Sequence, residues 1–153
     1  MTEETQYFTV EEANLRLPLI KRIARDIVDL YKDVYSRRER LQEIRFRRSE
    51  SDDGASLYRD EVSEIEKELD RDVRKLEEFV EELRDLKVQL KDPARGLVDF
   101  PSMMDDREVM LCWELGEADV AYWHEKDEGH AERQSLFEGS IPNSENESGD
   151  GEG

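Results

Sequence analysis

The sequence predicts an α+β fold: a long antiparallel two-helix coiled-coil hairpin, a small three-stranded antiparallel sheet after it, and a disordered acidic C-terminal tail. Three observations carry that expectation. Apolar residues recur in alternating steps of three and four along two arms between residues 20 and 90, which is the seam of a coiled coil. After Pro93 the apolar period drops to two, the signature of strands. From Glu138 to Gly153 there are five acidic residues, four glycines, three serines and no base, a composition too polar to pack. The expected organisation is one domain over 1–137, with the hairpin at 7–90, a β-meander at 96–124 and a C-terminal motif segment at 124–137, followed by the tail at 138–153.

Thr9 to Glu12 reads as a capping box, with Phe8 and Ala13 placed as a hydrophobic staple, so a helix should begin near Val10. Pro18 removes one backbone bond inside it, and a kink or break is expected there. The first seam runs through Ile20, Ile23, Ile27, Leu30, Val34, Leu41 and Ile44, with Arg37 in one slot that should be apolar. Ser51 to Gly54 is turn chemistry. The second seam runs through Tyr58, Val62, Ile65, Leu69, Leu76, Phe79, Leu83, Leu86 and Leu90, with Asp72 as its exception, and should end before Asp92-Pro93. Folding the chain at the turn makes seam partners of residues whose numbers add to 106, and every such pair sets an a position against a d position. Arg37 and Asp72 then fall in adjacent layers, where they can satisfy one another and act as a register lock.

Leu97 to Phe100, Val109 to Leu115 and Val120 to Trp123 read as the three strands, with a turn at Gly116 to Asp119. If that turn pairs Leu115 with Val120, then Val109, Leu111, Trp113, Val120 and Tyr122 share a face with His124 at its rim. Met110, Cys112, Glu114, Ala121 and Trp123 share the other. One face should pack on the hairpin and the other should meet a partner or a C-terminal segment.

The 153 residues are 42% charged and 36% apolar, one domain's worth with a thin core. A net charge of -18 argues against a nucleic-acid partner, since phosphate contacts need surplus Lys and Arg. No apolar run is long enough for a bilayer, and the stretch from Met1 to Gln6 is acidic, so neither an anchor nor a signal peptide is expected. The lone Cys112 fits a cytoplasmic address.

Candidate chemistry is densest from Trp123 to Gln134, where His124, Glu125 and Asp127 supply donors for a divalent metal. The spacing matches no zinc signature, and a solvated loop tied to the sheet by His124 or Arg133 explains the same residues. The arginines from Arg37 to Arg48 could contact RNA, yet interhelical pairing with the acids from Asp60 to Glu68 explains both sets. Glu77, Glu78, Glu81, Glu82 and Asp85 crowd one helix, and their spacing places Glu78, Glu82 and Asp85 to one side of the seam rather than in it, as on a solvated helix face. Cys112 has no histidine near it in sequence and reads as a buried structural thiol.

Tyr7 to Ile20 resembles the opening of the prokaryotic family of domains of unknown function 2203. More specific are Lys91-Asp-Pro-Ala-Arg-Gly-Leu-Val-Asp-Phe-Pro-Ser102, Arg107-Glu-Val-Met-Leu-Cys-Trp-Glu-Leu-Gly-Glu117 and Ala121-Tyr-Trp-His-Glu-Lys-Asp-Glu-Gly129. The resemblance implies a helical hairpin with a small sheet and brings no activity with it. It singles out Asp99, Trp113, Trp123, His124, Glu125, Asp127, Gly129, Arg133 and Gln134 as a family-like patch. The family pattern has an aromatic residue in place of His130 and a proline in place of Ala118, which leaves His124 as the better candidate for any metal.

The leading expectation is a non-enzymatic interaction or scaffold protein without a cofactor, self-associating as a homodimer or binding another protein. Tyr31, Tyr35, Val73 and Val80 widen the apolar stripe beyond what two helices cover. The alternative is a small-molecule or metal-dependent enzyme, with Asp99, His124, Glu125 and Asp127 set against Trp113 and Trp123.

Overall fold

Thr9 starts the long helix as its capping box requires. In the computed structural model, which describes residues 5–50 and 55–137, its hydroxyl accepts from the Glu12 N–H at 3.0 Å, and Glu12 Oε1 accepts from the Thr9 N–H at 2.9 Å. Phe8 and Ala13 are both buried. Helix α1 spans Val10–Glu50 and does not break at Pro18. That residue is exposed, so one bond is forfeited on the solvent side without the ladder being interrupted. Helix α2 spans Ala55–Asp85. The expected turn at Ser51 to Gly54 lies outside the described residues, as does the acidic tail from Glu138.

The two helices run in opposite directions. Leu41 and Ile44 near the end of α1 pack on Ile65 near the start of α2, while Ile20 near the start of α1 shares a cluster with Leu83 near the end of α2. Between these clusters Arg37 ion-pairs with Asp72 and bonds Glu68 Oε1 at 3.1 Å. Arg40 with Glu61 and Arg45 with Glu66, each at 2.8 Å, extend the charge pairing toward the tip.

The sheet has five antiparallel strands in sequence order, not three: β1 (Gln89–Asp92), β2 (Leu97–Met104), β3 (Arg107–Glu114), β4 (Tyr122–Glu125) and β5 (Gln134–Ser135). The first extra strand takes Leu90 out of the helical seam. Lys87 adopts a left-handed φ of 68°, and the Val88 N–H bonds back to the Leu83 carbonyl at 3.0 Å, a C-cap that ends α2 at Asp85 and turns the chain into β1. The β2–β3 connection is a two-residue turn at Asp105 and Asp106, both with positive φ (52° and 66°), which suits the twist of a hairpin. Gly96, at φ 65°, sits so close to Leu115 that an added Cβ would lie 2.8 Å from that side chain's own Cβ.

The register of β4 differs by one residue from the expected one. Leu111 faces Trp123 and Cys112 faces Tyr122, so Trp123 joins Leu111 and Trp113 on the face toward the helices while His124 moves to the opposite face. The cause is the connection before it, which is longer than a tight turn. Trp113 Nε1 donates to the Glu117 carbonyl at 3.0 Å, and the Val120 N–H donates to Asn14 Oδ1 at 2.8 Å. Val120 is thereby buried against α1 as a loop residue rather than paired as a strand residue.

The candidate site on the back of the sheet

The face of the sheet away from the helices carries Asp99 on β2, Cys112 on β3 and His124 on β4. Asp99 stands directly opposite Cys112, and His124 is opposite Met110, two places along β3 from Cys112 and therefore on the same face. Period-two alternation puts all three on one side, and each is closed off from water, at 2%, 0% and 2% exposure. One ligand atom from each lies within 4.8 Å of the other two.

His124 is held at both ring nitrogens. Nδ1 lies 2.7 Å from the Glu125 carbonyl, which can only accept, so the proton sits on Nδ1. Nε2 is left facing Asp99 Oδ2 at 3.0 Å. The other carboxyl oxygen, Asp99 Oδ1, is buried and has no N–H or O–H donor among the described residues. Burial raises the Asp99 carboxyl above its ordinary range, opposed by the His124 charge and hydrogen bond. Burial likewise pushes the Cys112 thiol up to about 12, with Asp99 adding to the effect and Arg133 opposing it. The thiol is therefore protonated and a poor nucleophile at neutral pH, as a structural cysteine should be.

Arg133 closes one side of this face. Its guanidinium bonds Glu117 Oε2 at 2.5 Å, lies 3.9 Å from Cys112 Sγ and stacks 3.9 Å from the centre of the Tyr122 ring. The C-terminal segment is anchored beside it by Gln134 in β5, paired with Trp123, and by the Leu136 N–H on the Ala121 carbonyl at 2.8 Å.

A family model described as an uncharacterized conserved protein (DUF2203) matches residues 6–136. The chain belongs to that family. A search of curated proteins and a search of solved structures each return no match. Nearly all the residues described here fall within the DUF2203 match, the sheet and both helices included.

Of the residues that the sequence marks for the patch, the structure brings Asp99 and His124 into direct contact and pairs Gln134 with Trp123, while Glu125 and Asp127 stand apart from the buried group. Glu125 is in an exposed two-point ion pair with Arg107, at 3.0 and 2.7 Å, which lowers its pKa. Asp127 is exposed on the turn after β4. Neither belongs to the buried group that His124 joins. Trp113 and Trp123 lie on the opposite face, in the core against the helices, and Trp123 Nε1 is buried with no hydrogen-bond partner among the described residues. His130 and Arg95 instead meet at Glu114, with His130 Nε2 at 3.2 Å and Arg95 at 3.0 Å. Cys112 is the residue that sequence reasoning set aside and the structure restores. Its signal was the Asp105-Asp106 pair, since a two-residue turn there sets Asp99 opposite Cys112.

Proposed function

We propose that this protein is a non-enzymatic interaction module that pairs with a second copy of itself along α2. The observation that carries this reading is the apolar flank of the hairpin. Val73, Leu76 and Val80 are only half-buried and border an open groove of about 540 Å³ lined also by Glu77, Glu81 and Arg84. In heptad terms Tyr31 shares that flank with Val73 and Val80, and Tyr35 beside it is 59% exposed. A two-fold axis near Val80 would set Glu77 of one copy against Arg84 of the other, so the flank is self-complementary in charge as well as apolar. Among the described residues the Arg84 guanidinium pairs within its own helix, with Glu81 at 2.5 Å. The enzyme alternative at His124 draws less support, because Asp99, Cys112 and His124 are buried and a substrate needs access.

Light scattering on the full chain at tens of micromolar tests the reading. A dimer mass is expected, falling to the monomer mass in V73E/V80E with helical circular dichroism retained. A parent chain that scatters as a monomer would remove the proposal.

A further inference from the structure

The geometry points to a buried zinc-class metal site formed by Asp99, Cys112 and His124, distinct from any donor set that includes Glu125 or Asp127. Four features of the trio argue for an ion rather than for a hydrogen-bonded core cluster alone.

The residue types are the thiolate, imidazole and carboxylate that zinc and cobalt prefer, and their donor atoms already lie within 4.8 Å of one another. The imidazole is oriented as a ligand: its Nδ1–H is committed to the Glu125 carbonyl at 2.7 Å, which fixes the tautomer and aims the Nε2 lone pair at the group. The Asp99 carboxyl supplies two oxygens, Oδ2 facing Nε2 and Oδ1 buried without an N–H or O–H donor among the described residues, with the Cys112 thiol the group beside the carboxyl. Such an orphaned acceptor is uncommon in a native interior and wants a partner. Nε2, Sγ and both carboxyl oxygens together make a four-atom donor set.

The charge also balances. The metal-free trio holds one proton on the thiol and one on the Nε2–Oδ2 line, and is neutral overall. Binding a divalent ion forms the metal–sulfur, metal–nitrogen and metal–oxygen bonds and releases both protons to solvent. Thiolate and carboxylate then offset the two positive charges, so the buried site stays neutral and nothing uncompensated is placed in the interior. With the three ligands closed off from water, the ion would tie β2, β3 and β4 together rather than activate a substrate.

The test uses the full chain, purified without a histidine tag, stripped with chelator and titrated with cobalt. One equivalent should bind and show a thiolate-to-cobalt charge-transfer band with visible bands of tetrahedral intensity. C112S, close to isosteric, should lose the charge-transfer band. H124A should weaken binding by at least ~100-fold, more than the loss of an outer-shell partner typically does. E125A and D127A should bind as the parent does. Zinc should also raise the parent's melting temperature and leave that of C112S where it was, a readout that holds if H124A fails to fold. Cobalt bound without the charge-transfer band, binding lost in E125A or D127A, or no binding by the parent would each overturn the assignment.

Discussion

The tip of the hairpin and the base of the molecule are held by different kinds of interior. At the tip, Leu41, Ile44 and Ile65 form a small cluster with Tyr58, Val62 and Leu69 packed around it, two helices deep and ringed by ion pairs. At the base, Phe8, Ile20, Ile27, Leu83, Phe100, Leu111 and Trp113 form one cluster to which both helices and the sheet contribute. The tip can exchange water on every side of a narrow seam, whereas the base is covered from two directions. Stability should therefore be concentrated where the sheet meets the helices, and the far end of the hairpin should open first.

The largest effect that would break this contrast is at Phe100, which is fully buried and packs edge-on against Phe8 with ring centres 5.4 Å apart. Phe100→Ala should lower unfolding free energy by about 3–5 kcal/mol, a large part of a small domain's total. Ile65→Ala at the tip should fall at the low end of its class, about 2 kcal/mol, because the thin seam can relax around the gap. Urea melts of the two variants decide the matter. Equal losses would mean that the hairpin and the base share one cooperative core.

A smaller effect is expected at Asn14, which ties the start of α1 to the sheet inside the base. Its Oδ1 accepts from the Val120 N–H at 2.8 Å and its Nδ2 reaches the Val120 carbonyl at 3.4 Å, so α1 holds the loop that sets the register of β4. Asn14→Ala leaves a buried residue's backbone donor without that acceptor and should destabilise by about 1–3 kcal/mol. Because a one-residue slip of β4 exchanges Trp123 and His124 between faces, Trp fluorescence should shift toward the solvent-exposed range if the loop lets go. An unchanged melt would show that the strand pairing alone sets the register.

How far each region could be read in advance follows the same division. The seam of Ile20 through Ile44 and its partners repeats often enough for the helices, their direction and the Arg37–Asp72 contact to be legible, because each turn restates the last. The capping box at Thr9 was legible because it is local. The sheet was legible only as a sheet. β1 and β5 have four and two residues, too few for a period to show, and Leu90 happened to continue the helical spacing past the real helix end. The face of His124 depended on a bond from Asn14, more than a hundred residues away in the chain, for which no local pattern exists. The buried trio was therefore hidden although Asp99 and His124 were both singled out.

The smallest effect concerns the polar layer between the two interiors. Arg37 and Asp72 side chains are 33% and 22% exposed, so water screens their attraction and the pair should contribute less than a fully buried one. Asp72→Ala should cost about 1–2 kcal/mol, chiefly because Arg37 is left with Glu68 alone at 3.1 Å. The double variant Arg37→Leu/Asp72→Leu should recover that loss or exceed the parent, since apolar residues would then join the tip cluster to the base. If the pair acts as a register lock, the gain in stability will come with a loss of uniqueness: broadened amide resonances along α2 in the double variant, sharp ones in the parent. A double variant that is less stable than Asp72→Ala would show instead that the layer contributes by its own attraction, and that the tip is bound to the base more firmly than its thin seam suggests.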